Sequence, residues 1–230
     1  MNCVTTSETG LVRKDNQDHV VADLKRGVFC VADGMGGGAE GARASAIVCE
    51  KIAQVDGETL RDRLEAVDRA ITAANSEIFN YATSKGFSQM GSTVAVVVTD
   101  PQTGGHAAVA HVGDSRVYRL HDKKLTLLTK DHTVGENLGK GRSHPLAHIL
   151  TKVVGGSLAV FATWTRIDIA EGDRIMICSD GVHDLIQDDE LAMVLAHPVT
   201  LKDLSEAISE IIISRGARDN YSFVLIDFQS

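Results

Sequence analysis

Three aspartates in the sequence each follow an apolar run with the composition of a β-strand, and each precedes a small residue: Asp33-Gly34, Asp114-Ser115 and Asp180-Gly181. A fourth, Asp219, stands with Asn220 immediately before the last apolar run, and a fifth, Asp18, begins an early one. Carboxylates delivered from the ends of several strands can converge on one point in a folded chain. Their shared placement therefore indicates one acidic site assembled from distant parts of the sequence.

Taken singly, an Asp-Gly pair after a strand is typical of a hairpin turn. Here Asp33-Gly34 is followed by a glycine cluster and a helical pattern, and Asp180-Gly181 also leads into a helix-like stretch. Isolated buried charges cost several kcal/mol each, so cations must hold convergent carboxylates together. Oxygen-rich sites of this kind suit Mg²⁺ or Mn²⁺ rather than zinc. Two such ions about 3.5–4 Å apart can activate a water and stabilise an in-line displacement at phosphorus.

In order and spacing, these aspartates and their neighbours resemble the type 2C, metal-dependent serine/threonine protein phosphatases. The segments that carry the resemblance are Arg13-Lys-Asp-Asn-Gln-Asp18, Val31–Gly38, Met90-Gly-Ser-Thr-Val94, His111-Val-Gly-Asp-Ser-Arg116, Lys130-Asp-His132, His144-Pro145, Leu150–Gly155, Cys178-Ser-Asp-Gly181 and Asp219-Asn220. Each segment alone is a weak signal, but their joint order covers essentially the whole chain. The resemblance implies hydrolysis of phosphoserine and phosphothreonine in proteins by direct in-line attack of a metal-activated water, without a phosphoenzyme.

The resemblance also implies a cofactor of two Mn²⁺ or Mg²⁺ ions, with a weaker third. Asp33 would bridge the first two ions, and the backbone carbonyl of Gly34 would bind the second of them. Asp180 and Asp219 would bind the first ion. These four residues form the core of the implied metal site.

Three further residues receive roles from the same resemblance. Asp114, together with Asp180, would form the third metal site. Asp18 would act through a water on the metal or as an acceptor outside the ligand set. Arg13 would grip the substrate phosphate, because its planar guanidinium can donate paired hydrogen bonds.

Two positions depart from the family's pattern. Many relatives have Glu where this chain has Gln17, so one water-binding carboxylate is missing and a lower metal affinity is expected. Some relatives carry a histidine, proposed as the general acid, where this chain has Met35. Of the histidines within the motifs, His132, His144 and His183, the sequence places none beside the leaving group, so the proton donor stays open.

Two other functions stay open beside the protein phosphatase. A catalytically silent relative that binds phosphoproteins as a regulatory module should have lost one of Asp33, Asp180 or Asp219, and all three are present. A phosphatase acting on a small metabolite would use the same metal site, because substrate choice resides in loops. The retained aspartates favour an enzyme over a silent module.

Two glycine-rich segments imitate phosphate-binding loops. Gly34–Ala39 follows a strand-like run as a dinucleotide-binding loop does, but Asp33 would repel a pyrophosphate and the βαβ alternation is missing. Gly135–Lys140 falls one residue short of a P-loop, and Gly141 replaces its Ser or Thr. A serine hydrolase is also disfavoured, since the sequence contains no G-x-S-x-G.

The elements that must position the aspartates are mostly strands. Short β-branched runs predict strands at His19–Leu24, Gly27–Ala32, Thr93–Thr99, His106–Val112, Arg116–Leu120, Lys124–Leu128, Phe161–Ile169, Arg174–Cys178 and Tyr221–Phe228. Helical spacing predicts helices at Ala39–Ile52, Leu60–Tyr81, Glu190–Ala196 and Leu201–Ser214. Because the helices cluster rather than alternate with strands, an α+β fold is expected. The resemblance implies a four-layer αββα sandwich, two stacked antiparallel β-sheets flanked by helices. Leu138–Ser143 has no period and is expected to be a mobile surface loop.

Composition narrows the class further. The 230 residues suit one domain, 1–230, and the net charge of −8 with only 4% aromatic residues excludes a typical nucleic-acid binder. No apolar run approaches the roughly 20 residues that span a bilayer, and Met1 to Arg13 lacks a signal-peptide core, so no membrane partner and a cytoplasmic location are expected. The four scattered cysteines predict neither disulfides nor a thiolate zinc site. The expected partners are phosphorylated proteins and an opposing serine/threonine kinase, and a monomer suffices.

Overall fold

The computed structural model describes residues 1–139 and 146–228. Within them the strands are β1 (Asn2–Glu8), β2 (Asp18–Asp23), β3 (Val28–Met35), β4 (Gly91–Ser92), β5 (Val94–Thr99), β6 (His106–Val112), β7 (Arg116–His121), β8 (Lys124–Leu127), β9 (Thr163–Asp168), β10 (Asp173–Cys178) and β11 (Tyr221–Phe228). The helices are α1 (Ala39–Ile52), α2 (Leu60–Lys85), α3 (Val134–Asn137), α4 (Asp180–His183), α5 (Asp188–Leu195) and α6 (Leu201–Ser214). Most of the loop predicted at Leu138–Ser143, and the His144-Pro145 segment, lie outside the described residues.

The strands form two antiparallel sheets. The first has the order β1-β11-β10-β7-β8, and the second has the order β2-β3-β5-β6-β9, with β4 paired to the end of β3. The two sheets pack face to face around a shared apolar layer that includes Phe29, Val97, Ile175 and Val224. Each sheet therefore has one face turned to the other sheet and one face left for helices.

Helices cover both outer faces. α1 and α2 pack on the second sheet through a cluster that includes Val48, Ile71 and Val96. α5 and α6 pack on the first sheet through a cluster that includes Leu191, Ile208 and Leu225. The predicted α+β class and the four-layer αββα sandwich are confirmed.

The sequence of β3 shows why its strand reads as a continuous apolar run. Phe29 and Val31 enter the layer between the sheets, whereas Cys30 and Ala32 enter the layer beneath α1 and α2. Successive side chains point to opposite faces of a strand, and here both faces are buried. The apolar run within β3 ends at Asp33, its first polar residue, two residues before the strand ends at Met35.

Local signals set the ends of the long helices. Thr59 begins α2 with a capping box, in which its side chain and that of Asp62 satisfy each other's backbone N–H groups. Gly86 ends the same helix in the left-handed conformation at φ 75°. The helix therefore continues to Lys85, four residues beyond the predicted end at Tyr81.

The N-terminal strand was not predicted. β1 pairs with β11 along its whole length, from Asn2 opposite Asp227 to Glu8 opposite Tyr221. Its sequence is polar and lacks a clear alternation, and as an edge strand it is held by backbone hydrogen bonds to its neighbour more than by its own apolar side chains. The strand predicted at Phe161–Ile169 is also shorter, because the regular pairing begins at Thr163.

Candidate active site

The predicted site residues meet at one edge of the sandwich. Asp18 and Asp33 lie directly opposite each other in the β2–β3 ladder, at the first residue of β2 and near the end of β3. Asp180 opens α4 just after β10, and Asp219 stands two residues before β11. Strand ends from both sheets, with their carboxylates, therefore lie at the same edge of the sandwich.

A cleft of about 590 Å³ opens at this edge. The predicted residues that line it are Arg13, Asp33, Gly34, Asp114, Asp180 and Asp219. Asp18 is only 4% exposed and lies behind the cleft wall rather than in it. Gln17 and Met35, the two positions that depart from the family's pattern, both line the cleft.

Asp33 is fixed through its backbone. Its N–H donates to Thr93 Oγ1 at 2.9 Å, and its carbonyl accepts from the Thr93 N–H at 2.8 Å. The hydroxyls of Thr93 and Ser115 are hydrogen-bonded at 2.7 Å, which links this contact to the residue after Asp114. The Gly-Ser-Thr and Gly-Asp-Ser motifs therefore support the position of Asp33, a role that the motif spacing alone did not reveal.

Asp18 is the most buried of the five aspartates. One carboxylate oxygen, Oδ2, accepts a hydrogen bond of 2.7 Å from Ser179 Oγ, while Oδ1 is buried without a hydrogen-bond partner in the described part of the chain. Burial, and then repulsion by Asp219, raises the pKa of Asp18 to about 6. An orphaned, buried carboxylate oxygen at this position is a group that a cation or its water could satisfy.

Asp33, Asp180 and Asp114 also have raised pKa values, for the same two reasons. Burial raises the pKa of Asp33 well above its usual value, and repulsion by Asp18 and Asp180 adds to the effect. Burial followed by repulsion from Asp114 likewise raises the pKa of Asp180. For Asp114 the pKa rises to about 6, through burial and then the charge of Asp131. A bound cation would relieve the mutual repulsion of these carboxylates.

Asn220 fixes the segment that carries Arg13 and Gln17. It is buried, and its Oδ1 accepts from the Gln17 N–H at 2.9 Å. Its Nδ2 donates to the carbonyls of Thr9 and Asp15, at 2.8 and 3.0 Å. The sequence marked Asn220 only as part of a motif, and the structure assigns it this positioning role.

Arg13 lies at the mouth of the cleft. Its Nη2 donates to Asp219 Oδ2 at 2.7 Å, and both side chains are well exposed, at 49% and 39%. This hydrogen bond is the main cause that raises the pKa of Arg13. The guanidinium is thus held beside the acidic cluster on a segment that remains open to solvent.

The glycines that follow Asp33 and Asp180 serve close packing rather than hairpin turns. A Cβ on Gly34 would lie 1.9 Å from the carbonyl oxygen of Gly41 in α1. A Cβ on Gly181 would lie 2.0 Å from the carbonyl oxygen of Asn220. Each Asp-Gly pair therefore marks a point where a strand end meets another backbone, which is why both recur at the site.

Of the histidines that the structure describes, those singled out in the sequence lie outside the cleft, and a different one lines it. His183 is buried and its Nε2 is 3.0 Å from the carbonyl oxygen of Asp114, and His132 accepts from the Gly113 N–H at 3.1 Å; neither lines the cleft. His144 lies outside the described residues. Among the described histidines, His148 is the one that lines the cleft, and the sequence reasoning did not single it out.

The donor set fits hard divalent cations. Aspartate and backbone oxygens from four strand ends surround the cleft, with the Asp18 oxygen left unsatisfied behind them. Across residues 1–139 and 146–228, no three His, Cys, Asp or Glu side chains lie close enough to hold an ion by themselves. Backbone carbonyls and waters would therefore have to complete the coordination, as Mg²⁺ and Mn²⁺ commonly allow.

In its described part, the chain has no helix both long and apolar enough to cross a membrane.

Comparison with known proteins places this architecture in a family. The chain is 33% identical to the serine/threonine protein phosphatase PstP of Mycobacterium tuberculosis, over 96% of this chain but only 44% of that protein, so it spans about half of that relative's length. It is 30% identical to a putative protein phosphatase 2C-type of Streptococcus pyogenes, over 97% of this chain and 96% of that one. The catalytic domain of PstP in complex with 2 manganese ions superposes with a TM-score of 0.88 at 32% identity, covering 100% of this chain and 98% of that one. Residues 6–212 match the family model of protein phosphatase 2C, and the chain belongs to that family.

Proposed function

We propose that this protein removes phosphate from phosphoserine and phosphothreonine in proteins, using two Mn²⁺ or Mg²⁺ ions and a weaker third. The observation that carries the proposal is the meeting of Asp33, Asp180 and Asp219 in one cleft with the Arg13 guanidinium at its mouth. Metal-binding carboxylates and a phosphate-binding cation are the two parts that phosphomonoester hydrolysis needs in one place. The relatives that are named serine/threonine phosphatases support the same reaction class.

Each aspartate has a part in holding the ions. Asp33 would bridge the two principal ions, with the Gly34 carbonyl on one of them and Asp180 and Asp219 on the other. Asp114, which lines the same cleft as Asp180, would complete the weaker third site. When bound, the ions supply an activated water for in-line attack and stabilise the charge that develops on the phosphoryl oxygens.

Arg13 orients the substrate in this scheme. The exposed ion pair of the guanidinium with Asp219 contributes little by itself, so Arg13 can turn toward a substrate phosphate at small cost. Two parallel hydrogen bonds from one guanidinium to phosphate oxygens fix the phosphorus for attack. Because water attacks the phosphorus directly, no covalent phosphoenzyme accumulates.

Buried residues in the cleft wall and behind it hold the functional side chains in position. Ser179 orients Asp18 through its hydroxyl, and Asn220 fixes the segment of Arg13 and Gln17. Such support matters because catalysis requires the ligands to be placed before the substrate arrives. The expected biological setting is the cytoplasm, where an opposing serine/threonine kinase would generate the substrates of a single-domain, monomeric phosphatase.

The direct test is hydrolysis of a phosphothreonine peptide by purified protein in the presence of Mn²⁺. We expect turnover that is lost with a chelator and lost in Asp33→Asn. A phosphorylated sugar or nucleotide assayed in parallel separates a protein phosphatase from a metabolite phosphatase. Folded protein that binds the phosphopeptide but fails to hydrolyse it at millimolar Mn²⁺ would identify a silent binding module instead.

A further inference from the structure

A second groove, lined by both apolar and polar side chains, continues from the wall of the catalytic cleft. It has a volume of about 320 Å³ and shares Leu150, Val153 and Gly156 with the cleft. From there it extends along the chain to Val160 and Phe161. The two cavities are therefore adjacent parts of one surface depression, of which only the first part contains the metal-binding aspartates.

The far end of this groove exposes large apolar side chains. Phe161 lines it and is 79% exposed, and Leu158, between the lining residues Ser157 and Ala159, is 83% exposed. A single exposed apolar residue is ordinary, but two large ones beside an open groove are typical of a recognition surface. Nothing in the proposed hydrolysis reaction requires them.

The loop that presents these side chains is held firmly. The buried Asn75 of α2 donates from Nδ2 to the carbonyls of Ser157 and Leu158, at 3.0 and 3.4 Å, and accepts from the Gly155 N–H at 2.7 Å. Val154 and Ser92 exchange two backbone hydrogen bonds of 2.8 and 2.9 Å. The exposed side chains therefore stand on a fixed backbone, and a preorganised surface loses less entropy when a partner binds.

The charge of the groove differs from that of the cleft. Among the described residues that line it, the charged one is Lys152, whose Nζ donates to the Phe161 carbonyl at 3.2 Å, and none is acidic. A basic side chain would therefore meet repulsion there, whereas an apolar side chain would cover Phe161 and the aliphatic wall. This contrast separates recognition in the groove from phosphate and metal binding in the cleft.

We propose that the groove binds an apolar side chain of the substrate protein, close in sequence to the phosphorylated residue. The inference rests on the proposed protein phosphatase function and adds a sequence preference to it. A phosphorylated residue in the cleft must continue as polypeptide, and an extended chain advances about 3.3 Å per residue. Since the groove begins where the cleft wall ends, a side chain one to three positions away is the part of the substrate that reaches it.

The test uses phosphothreonine peptides that are identical except at one position. Leu, Ser or Lys is placed in turn at each of the three positions before and after the phosphothreonine, and kcat/KM is measured with Mn²⁺. We expect Leu at one or two neighbouring positions to raise kcat/KM roughly three- to tenfold over Ser, since a partly buried leucine gains that much from leaving water. Lys at the same positions should lower it.

Matched variants connect the preference to the groove. Phe161→Ser and Leu158→Ser should reduce the Leu-to-Ser ratio to about one, whereas Met193→Ser, an exposed apolar residue of α5, should leave the ratio unchanged. Turnover of p-nitrophenyl phosphate, which has no flanking residues, should be the same in all these variants. That constancy shows that the metal site and the fold are intact.

Three outcomes would overturn the inference. One is a wild-type protein with equal kcat/KM for Leu, Ser and Lys at all six positions. Another is a preference that survives in the combined Phe161→Ser and Leu158→Ser variant. The third is concentration-dependent dimerisation of the wild type that the same variants abolish, since a second copy would then occupy the groove. Hydrolysis of p-nitrophenyl phosphate without hydrolysis of any peptide would instead remove the protein phosphatase function, and this inference with it.

Discussion

Ser179 Oγ donates a hydrogen bond of 2.7 Å to Asp18 Oδ2, across 161 positions of the sequence. Asp18 begins β2 in one sheet, and Ser179 follows β10 in the other. The same Ser179 hydroxyl accepts from the backbone N–H of Ser222 at 3.0 Å. One small side chain thus joins the two sheets at the edge where the carboxylates gather, and it orients the aspartate that lies deepest.

Ser179→Ala should weaken both the fold and the metal site. It removes a hydrogen-bond donor from a buried carboxylate whose other oxygen already has no partner in the described residues. We expect the free energy of unfolding in chelator to fall by about 1–3 kcal/mol. Urea unfolding measures this change, and a Mn²⁺ titration should show weaker binding in the same variant.

Ser76→Ala supplies the control for that experiment. Ser76 lies on the exposed face of α2, where its hydroxyl donates to the Thr72 carbonyl at 3.0 Å. We expect a change within about 0.5 kcal/mol, as for surface substitutions generally. If both variants lose the same free energy of unfolding, the Ser179–Asp18 hydrogen bond contributes no more to stability than a surface hydroxyl does.

Asp33→Asn should abolish Mn²⁺-dependent turnover and yet stabilise the metal-free protein. Burial and neighbouring carboxylates raise the pKa of Asp33, so its charged form destabilises the metal-free fold at neutral pH. Replacing it by a neutral amide should add about 0.5–2 kcal/mol, the usual scale when a strained functional group is removed. Thermal unfolding in chelator at pH 7.5 measures the gain.

The pH dependence of that gain has a definite sign. A carboxyl whose pKa is raised in the folded state destabilises the fold fully above that pKa, and the penalty shrinks as the pH falls from there to the lower unfolded-state pKa. The difference in melting temperature between Asp33→Asn and the wild type should therefore shrink as the pH is lowered from 7.5. A difference that grows toward acid would contradict the raised pKa.

Arg13→Ala should impair substrate binding far more than stability. Its ion pair with Asp219 is exposed, so losing it should change the free energy of unfolding by less than about 1 kcal/mol. Losing its hydrogen bonds to a charged phosphate should lower kcat/KM for a phosphothreonine peptide by roughly ten- to a hundredfold. Steady-state kinetics on the variant and on the wild type measure this loss.

Arg13→Lys separates charge from geometry at the same position. A lysine keeps the positive charge but cannot form two parallel hydrogen bonds to one phosphate. We expect Lys to recover only part of the activity lost in Ala. Full recovery would mean that Arg13 acts as a point charge, and no loss in either variant would remove it from the substrate site.

Much of the fold was predictable because its strands are buried on both faces. In β3, both Phe29 and Cys30 are buried in different layers, so the whole run is apolar and easily recognised. β1 offers no such signal, because its polar residues are held at the sheet edge by pairing with β11. An edge strand of this kind is stabilised by pairing with its neighbour. Because that neighbour lies more than 200 positions away, no local sequence pattern predicts the strand.

From the residue pattern alone, the sequence predicted a set of strand-end aspartates, and the family resemblance added Arg13 and the Gly34 carbonyl. The roles of Ser179 and Asn220 depend on hydrogen bonds to Asp18 and to the Gln17 backbone, which are close only in the folded chain. The sequence left a hairpin turn open as the interpretation of Gly34. The residue that leaves no room for a side chain at Gly34 is Gly41, which lies in another element, α1. Sequence motifs identify such residues as a set, but the structural role of each residue depends on its tertiary contacts.

Gln17→Glu tests whether the missing carboxylate limits metal binding. Gln17 lines the cleft, and its Oε1 lies against Gly41, where a Cβ would approach it to 1.9 Å. Glu has nearly the same shape and adds one negative charge to a cluster that already disfavours charge. We expect Mn²⁺ affinity to rise several-fold, because affinity for hard cations increases with the number of charged ligands. In chelator the same variant should be less stable than the wild type, since the added carboxylate is then uncompensated.

Gln54→Glu, an exposed substitution outside the cleft, should change neither the Mn²⁺ affinity nor the stability in chelator. Calorimetric Mn²⁺ titration measures the affinity, and thermal unfolding measures the stability. Unchanged affinity in Gln17→Glu would mean that a carboxylate here lies out of reach of the ions, and the low-affinity expectation for this chain would be wrong.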